Sequence, residues 1–474
     1  MSRPLLRFLV IAVSAVAAVV VGASLAACDA STEADDDDSA EGEGEDVGEG
    51  EGEGEGEGEG EGECQDPEGY QSTRVVRGEV TDVQPMTGLV LWDGTWDDDP
   101  VKANGSIALE YSYMRPADIV TGPDPSTWDW SSVEGLLDRV ASRGHQTIIR
   151  FYYTYPGEET AVPEYIKSRS DYHETHANSE GVRTGFPDWS NAELMRFHLE
   201  FYSEVAARYD DDPRLAVLQV GFGLWDEYHI YDAPHELGVQ FPTKDFQTEF
   251  LRHMDATFDT LKWSISIDAA DDEYSPIPAD SSLLELGFGT FDDSFMSEEH
   301  AQYNELNWDF FGHTARSAKA PAGGELSYYS DFDQQHALDV AGMYGRTFEQ
   351  LAERFQISYM IGNDQPDFQS DERIKAVGLS MGYRFVITEF RATEVLPGCD
   401  QRGTAVVENH GIAPIYYDAW LTIDGVRTST SLKGLLPGQS VSIEIGSPRR
   451  EPVVTIESDR LLPGQTIPFE ADLE

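Results

Sequence analysis

Residues 215–229 read LAVLQVGFGLWDEYH, an apolar run of strand length that ends in glycines and is followed by two acidic residues. This order is typical of a buried parallel strand that leads into a loop with polar side chains. Similar runs recur along the chain, and together they give eight predicted strands, at 88–92, 107–113, 147–153, 215–222, 263–268, 286–291, 325–329 and 357–361. The pattern indicates an α/β fold.

Segments with helical periodicity separate these strands. Apolar residues recur at helical spacing within 133–140, 194–205 and 246–258. S-x-x-E sequences that begin at Ser131 and Ser190 match the capping box at the start of a helix. Eight strand and helix units over about 300 residues predict a (β/α)8 TIM barrel. A doubly wound sheet is the alternative, and its commonest functional form is excluded because no G-x-G-x-x-G follows an early strand.

The pattern changes near residue 400. An apolar run at 383–390 is predicted as the strand that leaves the barrel, and short strands with turns follow at 404–408, 420–423 and 441–445. The pentapeptide LLPGQ occurs at both 435–439 and 461–465, which places similar turns before similar strands. We expect a small antiparallel β-sandwich after the barrel.

The N-terminal region has the features of an export signal. Arg3 and Arg7 precede an apolar run at 8–27, which ends in Leu-Ala-Ala before Cys28. This order predicts a signal peptide with lipid attached to Cys28, and a membrane-spanning helix is the alternative. Residues 29–64 are rich in Glu, Asp and Gly, which predicts a disordered acidic spacer. The predicted parts are 1–28, 29–64, a barrel at 65–398 and a sandwich at 399–474.

Charge and cysteine content limit the partners and the compartment. The chain has 88 acidic and 32 basic residues, a formal net charge of −56, which argues against nucleic acid as a partner. We expect contact with a bacterial membrane through the lipid alone, at the periplasmic face or the cell surface. Cys64 and Cys399 remain for a disulfide in an oxidising compartment, or for two free thiols.

Two glutamates lie at predicted strand ends, where the pocket of a TIM barrel forms. Glu227 follows the fourth strand beside Trp225, and Glu325 follows two glycines at the seventh strand. Two facing carboxyls suit glycoside hydrolysis, one as acid and one as nucleophile. The rival carboxylates are Asp226, Asp268, Asp292 and Asp293. A purely structural alternative pairs these glutamates with Arg150 to tie strands together.

Three segments resemble clan A glycoside hydrolases of the β-galactosidase type: LEYSYMRP at 109–116, WDW at 128–130 and IIRFYY at 148–153. The similarity runs from about residue 88 to residue 361. The resemblance implies an acid/base glutamate after the fourth strand and a nucleophile at the seventh, and Glu227 and Glu325 occupy those positions. Asp226 stands where the family usually has the asparagine that contacts the substrate 2-hydroxyl.

Residues 223–229 also match a G-x-W-x-E-x-H pattern. This pattern, together with Gly-Gly-Glu, resembles a group of secreted bacterial barrels that is classed as a domain of unknown function. The similarity extends into the C-terminal strands, so this resemblance implies the fold of both parts of the chain.

The sequence therefore predicts a retaining glycoside hydrolase that acts on a carbohydrate and needs no cofactor. Candidate substrate-binding residues lie near strand ends and carry aromatic or polar side chains: Arg150, Tyr152, Trp225, Asp226, Tyr228, His229 and Tyr328. No metal is expected, because the histidines near these positions lack a recognised ligand spacing. The alternatives are a barrel that binds polysaccharide without cleaving it, and a scaffold or adhesion lipoprotein.

Overall fold

The computed structural model describes residues 71–72, 79–392, 403–446 and 452–471 of the 474-residue chain. The predicted signal peptide, the spacer, the lipid site at Cys28 and the Cys64–Cys399 disulfide lie outside the described residues. Within the described ranges, none of the helices combines the length and the hydropathy that a membrane span requires.

Eight parallel strands close into a barrel, which confirms the predicted TIM-barrel fold. Each strand pairs with the next one along the chain, and the eighth pairs with the first. The strands, named β1 to β8 in chain order, are Gly88–Trp92, Leu109–Met114, Gln146–Phe151, Leu215–Val220, Lys262–Ser266, Gly289–Phe295, Gly323–Leu326 and Tyr359–Ile361.

Strands β6 and β7 differ in extent from the prediction. β6 continues beyond residue 291, and β7 begins before residue 325. A Cβ atom at Gly324 would lie 2.0 Å from the carbonyl oxygen of Asp292, so only glycine permits this approach of the two strands. Periodicity does not report such a contact. Because β6 extends to Phe295, Asp292 and Asp293 lie within it, next to the strand that carries Glu325.

The helices lie between the strands, as predicted. Val133, Leu136, Leu137 and Val140 are buried on one face of their helix. The two predicted capping boxes are wrong. The helix that begins at Ala192 is capped by Asn191, whose side chain accepts from the backbone N–H groups of Glu193 and Leu194. The helix that begins at Ser131 follows Trp130, which makes no capping hydrogen bond through its side chain. The α-helices described are Pro116–Ile119, Ser131–Ala141, Glu164–Lys167, Ala192–Tyr209, Lys244–Thr257, Ala301–Phe311, His313–Ser317, Asp331–His336, Phe348–Phe355 and Asp371–Leu379.

Shorter elements fill the remaining connections. A hairpin of Thr175–Ser179 and Val182–Phe186 lies in the long loop after β3. The 3-10 helices described are Pro100–Lys102, Pro125–Thr127, Ile267–Ala270, Ser281–Glu285 and Gln365–Asp367.

Two sheets form the C-terminal region, in agreement with the predicted β-sandwich. Phe385–Ala392 pairs antiparallel with Gln71–Ser72 and with Gly403–Asn409, which in turn pairs with Ser440–Ile445. Glu470–Ala471 pairs in parallel with Phe385–Ala392. The second sheet contains Ala419–Ile423, Val426–Ser431 and Val454–Ser458. The run predicted to leave the barrel thus belongs to the first sheet, and the boundary near residue 398 stays a prediction.

The C-terminal region covers the N-terminal ends of the barrel strands. The Tyr417 hydroxyl donates to the carbonyl oxygen of Ala216, and Arg460 donates to that of Leu215 at 2.5 Å. Tyr416 and Tyr417 belong to the same apolar cluster as Val217 inside the barrel. This end of the barrel is therefore packed, and the loops at the opposite end form the candidate site.

Candidate active site

The loop after β4 folds back on itself. The N–H of Gly223 donates to the carbonyl oxygen of Glu227 at 2.7 Å, and the N–H of Leu224 donates to that of His229 at 3.0 Å. A Cβ atom at Gly223 would lie 2.1 Å from the His229 oxygen, so the turn requires glycine there. Trp225 and Asp226 have positive φ angles of 51° and 61°, a strained backbone that surrounding contacts must hold. The fold-back positions Glu227.

Arg150, in β3, is fully buried and contacts this loop. Its Nε and Nη2 donate to Oε1 of Gln219 at 2.9 and 2.5 Å. Its Nη1 lies 2.7 Å from Oδ2 of Asp293, 3.1 Å from the carbonyl oxygen of Trp225 and 3.7 Å from Oε1 of Glu227. The Phe291 ring packs against the guanidinium at 4.3 Å. One cation therefore connects β4, β6 and the loop that carries Glu227.

Glu325 lies in β7, the strand that pairs with the one carrying Asp293. Its Oε1 is buried without a hydrogen-bond partner among the described residues, and its carboxylate accepts a hydrogen bond from Tyr328. The ladder between β6 and β7 shifts register between Gly324 and Leu326. This irregularity lies at Glu325, whose pKa responds to the charge of Asp293.

The three carboxyl groups of Glu227, Asp293 and Glu325 compete for the positive charge of Arg150. Burial, followed by the charge of Asp293, raises the pKa of Glu227 well above its ordinary value. The same two causes, in the same order, raise the pKa of Glu325 to about 8. Because three carboxylates and one cation leave an excess of buried negative charge, the cluster retains a proton near neutral pH.

A histidine and an aspartate adjoin Glu227. Nδ1 of His229 lies 2.8 Å from Oδ2 of Asp268 and 3.7 Å from Oε2 of Glu227, and Ser266 also donates to Asp268. In the described residues, Glu227, His229 and Asp268 form one set whose ligand atoms lie within 4.8 Å of one another, and Glu159, Glu174 and His176 form a second. His229 is hydrogen-bonded to Asp268 in the first set, and His176 to Glu159 in the second.

Aromatic rings form a row beside the carboxyl groups. Tyr113, whose hydroxyl accepts from Arg150, packs against Tyr155 at 5.9 Å between ring centroids, and Tyr155 packs against Trp225 at 6.4 Å. Tyr231 continues the row at 6.0 Å from Trp225 and stacks on His229 at 5.1 Å. Trp225 is half-buried and Tyr231 is exposed. The row gives the site an apolar side with edges open to solvent.

The structure brings most of the predicted site residues together. Glu227, Glu325, Arg150 and Tyr328 share one cluster, and His229 and Trp225 border it. Tyr152 packs edge-on against Tyr113, and its hydroxyl donates to Glu158.

Two of the predicted contact residues point elsewhere. The Asp226 carboxylate is buried and accepts from the N–H of Gly221 at 2.8 Å, so it fastens the turn instead of facing the cluster. Tyr228 is buried between Phe222 and Phe241. The rival Asp292 is also turned away, since it accepts from Asn304 and Trp308, and burial raises its pKa to about 7.

Sequence reasoning missed Gln219, which holds Arg150 and also donates to Tyr359 at 2.9 Å. A signal for it exists, because Gln219 is the polar member of the otherwise apolar run LAVLQV in β4. A polar residue inside a barrel strand has to find a buried partner.

No protein-family model matches the chain, and a search of curated proteins gave no match either. Among solved structures, a GH30 endoxylanase from Clostridium papyrosolvens C71 is 9% identical over 80% of this chain and 97% of its own, with a TM-score of 0.39. A GH5_18 protein from Bifidobacterium longum subsp. longum is 11% identical over 62% and 74%, with a TM-score of 0.36. The catalytic domain of a Paenibacillus polymyxa β-amylase is 11% identical over 63% and 99%, with a TM-score of 0.39. These similarities concern the fold alone.

Proposed function

We propose that the protein is a retaining glycoside hydrolase, with Glu227 as acid/base and Glu325 as nucleophile. The observation that carries the proposal is the cluster of Glu227, Asp293 and Glu325 around the buried cation Arg150 at the end of the barrel opposite the C-terminal sheets. Such a cluster holds both a protonated and an ionised carboxyl at neutral pH, which glycoside hydrolysis requires.

The surroundings of the two glutamates support different roles. Burial and the neighbouring Asp293 raise the pKa of Glu227, so this carboxyl keeps a proton that it can give to the leaving oxygen. Burial and the charge of Asp293 raise the pKa of Glu325 to about 8, and the hydrogen bond from Tyr328 opposes this rise; Glu325 reacts in its ionised form. In the proposed first step the Glu325 carboxylate attacks the anomeric carbon while the Glu227 proton moves to the departing oxygen. In the second step water attacks the glycosyl-enzyme and gives its proton to Glu227.

The row of aromatic rings supports a sugar as substrate. Sugar rings present C–H faces that pack on aromatic side chains, and Trp225 and Tyr231 offer partly open rings near Glu227. The excess of buried carboxylates disfavours a polyanionic glycan. A neutral glycan is therefore the substrate class we propose.

Hydrolysis of a broad panel of aryl glycosides and neutral polysaccharides by the purified protein tests this proposal. We expect Glu325→Gln to reduce cleavage by about 10³-fold or more. Glu227→Gln should reduce it by about 10²-fold to 10⁴-fold on substrates whose leaving group needs a proton, and much less on activated aryl glycosides. Glu285→Gln, in a side chain that is 83% exposed, is the matched control and should retain full activity.

Other outcomes would contradict the proposal in different ways. Binding of a polysaccharide without cleavage at any pH would favour the non-catalytic capture protein. Cleavage that survives both substitutions would mean that other carboxylates act. NMR of the first product reports its anomeric configuration. Inversion of that configuration would exclude Glu325 as nucleophile.

We also propose that the hydrolase is located outside the cytoplasm and is held at a membrane by a lipid on Cys28. The support is the sequence of the first 28 residues, with Arg3 and Arg7 before an apolar run that ends at Cys28. A mature N-terminus at Cys28 carrying the mass of a lipid is expected, and an unmodified or uncleaved N-terminus would contradict the anchor.

A further inference from the structure

Asp293 is the carboxylate of the cluster to which the proposed hydrolysis gives no role. It lies next to Asp292 in β6, and successive side chains of a strand point to opposite faces. Asp292 accepts hydrogen bonds from Asn304 and Trp308 of a surrounding helix, whereas Asp293 lies 2.7 Å from Arg150 within the barrel. Asp293 therefore faces the same site as Glu227.

The two oxygens of Asp293 have different surroundings. Oδ2 receives the contact from Arg150, while Oδ1 is buried and has no hydrogen-bond partner among the described residues. Oε1 of Glu227 and Oδ2 of Asp293 both approach Nη1 of Arg150, and after burial the charge of Asp293 is the largest cause that raises the pKa of Glu227. Two ionised carboxylates are both acceptors, so a hydrogen bond between them requires a proton on one of them.

Arg150 determines which of the two carboxyls keeps that proton. Its Nη1 is 2.7 Å from Asp293 and 3.7 Å from Glu227. Its Nε and Nη2 are taken by Gln219. Because electrostatic attraction falls with distance, the negative charge is favoured on Asp293 and the proton on Glu227.

We infer that Asp293 is a positioning residue: as an anion fixed by Arg150, it accepts a hydrogen bond from protonated Glu227 and keeps that proton available for the leaving oxygen. The inference rests on the proposed function. When the proton has moved to the leaving oxygen, Asp293 faces an ionised Glu227. Repulsion between the two carboxylates then favours transfer of a proton from the attacking water back to Glu227.

Groups from several strands face Asp293. Arg150 comes from β3, Glu227 from the loop after β4 and Glu325 from β7. The hydroxyl groups whose ionisation responds to its charge belong to Tyr111, Tyr113, Tyr328 and Tyr359. Arg150 is the cation in this set, so removal of the Asp293 charge leaves that cation to the two glutamates.

The pH profile of kcat/KM for Asp293→Asn tests the inference. In this variant Glu227 becomes a main charged partner of Arg150 and ionises more readily, so the alkaline limb should move at least about one pH unit lower, a tenfold change in proton affinity. Asp292→Asn is the matched control, since it removes the adjacent charge on the other face of β6, and its alkaline limb should stay in place. A residue with a merely structural role would lower the rate equally at every pH.

Infrared difference spectroscopy of the unliganded protein gives a readout that needs no substrate. At neutral pH the spectrum of the wild-type protein minus that of Glu227→Gln should contain the band of one protonated carboxyl, and in Asp293→Asn that carboxyl should lose its proton at lower pH. An unmoved limb and an unmoved carboxyl band in Asp293→Asn would overturn the inference. If no substrate is cleaved but the infrared bands behave as stated, the proton pair stands and the proposed hydrolysis fails.

Discussion

Two buried clusters of charged side chains in the same barrel shift the pKa of their glutamates in opposite directions. Glu110, in β2, is surrounded by Lys102 at 2.8 Å, Arg143 at 2.6 Å and His145 at 2.8 Å. Burial alone would raise its pKa, but the hydrogen bonds from His145, Arg143 and Lys102 prevail and lower the pKa to about 2. In the carboxyl cluster, Glu227, Asp293 and Glu325 share Arg150 alone among the described cations.

The difference shows how a carboxylate that stabilises the fold can be distinguished from one that can exchange a proton. At Glu110 hydrogen bonds with His145, Arg143 and Lys102 fix the charge, although Asp93 and Asp97 also pair with the two cations, and the proton is absent at every physiological pH. Around Arg150 the carboxylates outnumber the cation, so burial and repulsion hold a proton that can be transferred. Burial is similar in both clusters, and the balance of charge decides their properties.

The largest effect we expect is on stability. Glu110→Gln removes the fully buried counter-charge of Lys102 and Arg143, which keep only Asp97 and Asp93, and should lower the free energy of unfolding by about 3–5 kcal/mol. Glu325→Gln removes a carboxyl that the fold holds unfavourably, so it should leave stability unchanged or raised. Thermal unfolding of both variants at neutral pH measures the contrast. A loss in Glu325→Gln as large as that in Glu110→Gln would mean that both clusters are structural.

A smaller effect is expected in the pH dependence of stability, where the two glutamates have opposite signs. The pKa of Glu110 falls from 4.5 to about 2 on folding, so its stabilisation is present above pH 4.5 and is lost as the pH falls toward 2. The pKa of Glu325 rises from 4.5 to about 8, so its ionisation destabilises the fold increasingly as the pH rises from 4.5 to 8. Unfolding measured from pH 4 to pH 8 should show Glu325→Gln gaining on the wild type as the pH rises. A constant difference would contradict the raised pKa.

The fold follows from the sequence because its signals are local. Eight apolar runs alternate with helical stripes, and the barrel contains a strand at each of those positions. Glu227 and Glu325 were chosen as candidates for the same reason, since both adjoin strand ends, and their catalytic roles stay predictions. The turn that buries Asp226 was not predictable, because it depends on backbone contacts between Gly223 and His229.

Partners that meet across the barrel could not be found from spacing. Arg150 and Asp293 lie on strands that are not neighbours, and barrel closure brings them to 2.7 Å. Asp292 and Asp293 are adjacent and identical in type, so the sequence gives no reason to prefer either until the face of β6 is known. The extent of β6 and its close contact with Gly324 settle that choice.

The most direct test of the central claim is to identify the carboxyl that becomes bonded to sugar. The protein would be incubated with a slowly hydrolysed 2-fluoro glycoside of the sugar that the panel identifies, and its peptides analysed by mass spectrometry. We expect one sugar on the peptide that contains Glu325, and no label in Glu325→Gln. A label on Asp293 or Glu227, or turnover of unmodified substrate without any glycosyl-enzyme, would contradict the claim.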